Sequence, residues 1–96
     1  MVTAEQVQTI VKAIFKHRFP NVRLASVHVQ MGADAGDNRI IEIKCILDLP
    51  DDFDRARLSV VPRETIAKLV EADDPGFPVM SFIKKSEWGD MKAAAH

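Results

Sequence analysis

His28 and Glu42 come first, because an imidazole beside a carboxylate can take up or hold a proton near neutral pH. Both lie in stretches that alternate apolar with polar side chains, so strand register decides whether they meet. A register with Met31 opposite Arg39 places His28 opposite Glu42 and Leu24 opposite Ile46. Such a pair could serve as general base or metal ligand, but on an open strand it is more often a solvated ion pair without chemistry. His17 and His96 stand too far away in sequence to complete a zinc-ligand spacing. Cys45 alternates with Ile41, Ile43 and Leu47, which makes it a small core residue and not an exposed, activated thiolate. We therefore expect no catalytic residue, no metal and no cofactor.

Two further patterns carry charge. Asp48, Asp51, Asp52 and Asp54 approach the alternate acidic positions of a calcium loop, yet Ala56 takes the next position and no glycine follows. The run reads as a solvated connector. Lys12, Lys16, His17, Arg18 and Arg23 gather near the exit of the first helix, where they could touch phosphates. The negative end of the helix dipole accounts for the three at 16–18 without any partner.

These side chains need elements to position them. Thr3 and Gln6 form a capping box, and Val7, Ile10, Val11, Ile14 and Phe15 recur at helical spacing, which predicts a helix over 4–18 closed by Pro20. Residues 23–31 and 39–49 alternate at period two around a seven-residue polar loop, Gly32–Asn38, and predict an antiparallel hairpin. In the register above, Val29 meets Ile41, Val27 meets Ile43 and Ala25 meets Cys45 on the inner face. Ser59 is the expected N-cap of a second helix ending near Ala72, because Pro62 is tolerated only in a first turn. Phe77–Ile83 predicts a third strand. Ser86 is expected to cap a short last helix whose Trp88 and Met91 fold back, with the final residues fraying.

The order α-β-β-α-β-α predicts a single α+β domain over 1–96, a small three-stranded sheet with an antiparallel hairpin and two helices packed on one face. Its first five elements resemble those of KH modules, which bind single-stranded nucleic acid; that resemblance implies a nucleic-acid surface at Lys12, Lys16, Arg18 and Arg23. The Gly-x-x-Gly clamp is missing, since Gly32 and Gly36 are four apart in a hairpin loop. The order is also similar to that of small cytoplasmic domains of cation transporters and of BON domains, with no motif to support either likeness. Glu42-Ile-Lys44 resembles the acid-x-lysine element of restriction-type nucleases, which would imply metal-assisted hydrolysis with His28. The upstream acidic residue of that element is absent.

Composition narrows the classes further. Thirteen Lys and Arg against fourteen Asp and Glu give a net charge of −1, which argues against a nonspecific nucleic-acid binder. No apolar run reaches the roughly 20 residues of a membrane span, and Met1–Gln6 lacks the layout of a signal peptide. A single cysteine suits a reducing cytoplasm. The remaining anomaly is apolar. Leu24, Ile40 and Ile46 are expected on the outer sheet face, where Trp88 or another protein must cover them. The expectation is a cytoplasmic protein–protein interaction module, homodimeric or bound to another protein, with Leu24, Ile40, Ile46 and Trp88 as its contact residues.

Overall fold

The computed structural model describes the backbone of residues 1–94 and the side chains of residues 1–89. In chain order the elements are α1 (Ala4–Arg18), β1 (Arg23–Ala33), β2 (Arg39–Asp48), a 3-10 turn (Arg55–Ser59), α2 (Val60–Glu71), β3 (Phe77–Lys84) and α3 (Lys85–Ala94). This is the expected α+β architecture. The side chain of Met91 and the expected fraying of the last residues lie outside what is described.

The α1 capping box forms as its sequence dictates. The Gln6 backbone N–H donates to Thr3 Oγ1 at 3.1 Å, and the Thr3 N–H donates to Gln6 Oε1 at 2.8 Å. Val7, Val11, Ile14 and Phe15 turn inward. They meet Ile41, Ile43, Cys45 and Leu47 of β2 and Leu58, Val61 and Leu69 from the α2 region, so α1 and α2 share one sheet face.

The sheet runs β1-β2-β3, with β1 antiparallel and β3 parallel to β2. The hairpin register differs from the expected one by two residues: Val29 opposes Ile43, Val27 opposes Cys45 and His28 opposes Lys44, not Glu42. The cause is local. Asp34 Oδ1 accepts from the backbone N–H groups of Gly36 and Asn38, at 2.8 and 3.0 Å, and Asp37 adopts a left-handed φ of 60°. That knot shortens the loop and extends β1 to Ala33. A two-residue shift keeps every side chain on its face and changes only its partner.

A second departure is a β-bulge between Leu24 and Ser26. The extra residue, Ala25, is exposed instead of facing Cys45. Beyond the bulge the parity flips, so Leu24 opposes Leu47 and packs against the main core. Leu24 is thus removed from the outer face, where alternation had placed it opposite Ile46.

The start of α2 also differs. Ser59 is already helical and makes no side-chain cap. The cap falls on Asp54 instead, whose carboxylate accepts from the Ala56 N–H at 3.0 Å and starts the 3-10 turn that leads into α2. Pro62 still occupies the first turn of α2, where its missing N–H costs no helical bond.

Candidate functional site

The outer sheet face carries the residues with the most chemistry. His28 Nε2 lies 3.1 Å from Ser26 Oγ, and its ring lies 5.1 Å from the Trp88 ring, centroid to centroid. Lys44 is its cross-strand neighbour, while Glu42 opposes Gln30. A shallow recess gathers His28, Gln30, Glu42, Lys44 and Trp88. The imidazole therefore faces a cation and a hydroxyl, and lacks the opposed carboxylate that a polarised base requires. Among the described residues, no three His, Cys, Asp or Glu side chains come together as a metal-holding group. Glu42, Lys44 and His28 share the outer face and line the same recess.

The four expected contact residues separate. Ile46 is 1% exposed although it stands outside the main core cluster. Its face is the one α3 folds across, from the end of β3 over β2, so that Trp88 reaches His28 on β1. Trp88 itself is half-buried. The last helix is thus the cover for this end of the outer face. Ile40 lies at the other end, half-buried, beside Phe77 of β3. Leu24 belongs to the opposite face, as described.

Sequence reasoning missed the apolar residues that stay open. Phe77 is 59% exposed and Val79 43%, on the outer side of β3. Ile66 and Val70, on α2, are 42% and 67% exposed. Ile66, Leu69 and Val70 recur at helical spacing, which would place all three on the buried stripe of α2. That stripe runs through Val61, Thr65 and Leu69 instead.

The basic group divides over two flanks of α1. Arg18 is paired with Glu64 of α2, which pushes the guanidinium pKa up by hydrogen bonding and charge attraction. His17 faces the same interhelical groove. Lys12 and Lys16 border a different concavity, with Phe19 and Leu24. Arg23 opposes Asp48 across the hairpin.

Two buried polar groups complete the picture. The Cys45 thiol is fully buried, and loss of solvent raises its pKa to about 12. Asp74 is buried under Arg39, which donates from Nε to Oδ1 at 3.0 Å and from a terminal nitrogen to Oδ2 at 3.1 Å. The backbone N–H groups of Val2 and Gly76 also donate to this carboxylate, at 3.0 and 2.7 Å. Burial pushes the carboxyl up, but these four donations outweigh it and hold its pKa below the usual range. The cluster ties the start of α1 to the β3 turn. No family model, curated protein or solved structure matches the chain.

Proposed function

We propose that this chain is a non-enzymatic protein–protein interaction module, in size and composition like regulatory subunits, antitoxins or inhibitor proteins. One observation carries the reading: among the described residues, and apart from Met1, the exposed large hydrophobics all come from β3 and α2. Scattered surface leucines need no explanation, whereas apolar side chains gathered on two adjacent elements mark a contact surface. On the outer face the contact residues are accordingly Ile40, Phe77 and Val79, at the end away from Ile46 and Trp88. A lone buried thiol supports a reducing compartment, and the reading includes a cytoplasmic location. Binding of nucleic acid through Lys12, Lys16, Arg18 and Arg23 is the weaker reading, because Arg18 is held by Glu64 and the lysines lie on another flank of α1.

Photo-crosslinking tests the proposal. A benzophenone side chain at Phe77, in the cells that make the protein, is expected to give discrete protein adducts. The same group at the exposed connector residue Asp52 is expected to give none. Indistinguishable patterns from the two positions would sink the reading.

A further inference from the structure

We infer that the partner at this surface is a second copy of the chain, joined antiparallel through β3 so that two three-stranded sheets become one of six strands. This rests on the interaction reading above and names its occupant.

The sheet has two edges, and they differ. The β1 edge carries the Ala25 bulge, which twists it away from regular pairing. The β3 edge carries no bulge in its register with β2. It is also flanked by apolar side chains on both layers. Glu64 and Lys68 of α2 face α1, through the Arg18 pair and the interhelical groove. Ile66 and Val70 lie two positions further on, about 200° around a helix of 3.6 residues per turn, hence on the flank turned away from α1. With α1 over β1 and α2 over β3, that flank borders the open edge. Phe77 and Val79 border it from the other sheet face. The last helix leaves β3 toward β1 and so clears the edge.

The hydrogen-bonding phase of the edge can be derived. Asp34 N–H donates to the Asn38 carbonyl at 3.0 Å, so the even-numbered residues of β2 address β1 and the odd-numbered ones address β3. Ile41 pairs with Pro78, so Pro78 and the even-numbered residues after it turn their backbone groups outward. Pro78, which has no N–H, thereby costs the β2–β3 ladder nothing. Outward N–H and C=O groups remain on Met80, Phe82 and Lys84. A two-fold axis at Ser81 sets Met80 against the second copy's Phe82 and Pro78 against its Lys84. All the outward N–H groups then find carbonyls. The same axis brings Val79 against the second copy's Ile83 on the outer face, and the small Ser81 side chains against each other. An axis at Met80 would satisfy fewer donors, because Lys84 would then face Gly76, which lies outside the strand. Identical patches related by a two-fold are the commonest closed arrangement of soluble oligomers.

The edge is large enough. Eight strand residues span about 26 Å, and the thinnest dimension of the molecule is 22 Å. Such a face removes on the order of 1,000 Å² when two copies meet, near the lower bound for a specific interface.

Light scattering on the purified protein, with a Ser81→Cys variant, tests the inference. The expected mass is twice 10.7 kDa. Val79→Lys, at an exposed position, is expected to halve that mass with an unchanged circular dichroism spectrum. Ser81→Cys is expected to form an intermolecular disulfide under mild oxidation, while Ser59→Cys, on the exposed turn before α2, does not. A wild-type monomer at high concentration overturns the inference, and so does a dimer in which Ser81→Cys fails to cross-link. In either case adducts from Phe77 to a different protein would leave the interaction reading standing. Their absence would remove both.

Discussion

Arg39 and Asp74 hold the two ends of the fold together: the guanidinium meets both carboxylate oxygens, and the same Arg39 donates to the Val2 carbonyl at 2.9 Å. One residue opens β2 and the other closes the turn into β3, so a single ion pair fixes the amino terminus and the parallel strand against the sheet. Its side-chain exposure, 23% for Arg39 and none for Asp74, places it well away from a solvent-screened surface pair.

Asp74→Asn is expected to cost about 2–3 kcal/mol in denaturant unfolding, the range for losing charged hydrogen bonds. The pH dependence has a definite sign. The folded carboxyl titrates below its unfolded counterpart, so its contribution is fully present above the unfolded value of about 3.9. It is lost as pH falls through the lower folded value. The variant should therefore show a flatter acid limb than the wild type; parallel limbs would contradict the assignment.

Gly76→Ala tests the packing of the same turn. A Cβ there would come within 2.6 Å of Ile41 Cδ1 and 2.9 Å of Asp74 Oδ1. Ile41 is fully buried and Asp74 is held by Arg39, so neither yields easily. Overpacking of about 1–3 kcal/mol is expected in thermal or denaturant unfolding. An unchanged melting temperature would show that the turn relaxes freely.

Cys45 should resist thiol reagents in the native protein. With its pKa pushed up to about 12, almost no thiolate exists at pH 8, and the sulfur is shielded by the core. Rapid labelling is expected only after unfolding in guanidinium. Equal rates in both states would refute the burial.

Trp88→Ala should remove the ring contact with His28 and loosen the packing of α3 on β2 and β3. A half-buried tryptophan is worth less than a fully buried one, and about 1–3 kcal/mol is expected. Calorimetry reads the loss. No change would mean that α3 lies on the sheet without stabilising it.

The elements were legible because their signals are local. The α1 capping box, the two alternating strands and the Pro62 constraint all follow from neighbours a few residues apart. What failed depended on a single inserted or cross-linked residue. Asp34 drew the hairpin loop tight by accepting, through its side-chain carboxylate, from the backbone N–H groups of Gly36 and Asn38, and so moved His28 from Glu42 to Lys44. Ala25, one extra residue, turned Leu24 from the outer face to the core. The outer face and the exposed patch beside it were only half legible. Ile46 and Trp88 follow from alternation and a late aromatic, but the exposure of Val70 and Phe77 depends on how far α2 and α3 reach over the sheet. Short-range pattern does not encode that.

The parallel pairing of β2 with β3 also sets an order of events in time. The β1–β2 hairpin closes over a loop of a few residues, a step on the microsecond scale. Strand β3 can join only after residues 49–76 have been brought round with α2, and that longer closure carries a larger entropic toll before any contact repays it. During the interval β2 exposes a bare strand edge at Ile41, Ile43 and Cys45, side chains that end fully buried. Pulse-labelled hydrogen exchange is expected to show protection first in α1 and the hairpin and last in β3. The strand that finishes the sheet is thus also the one most exposed to mispairing in a nascent chain.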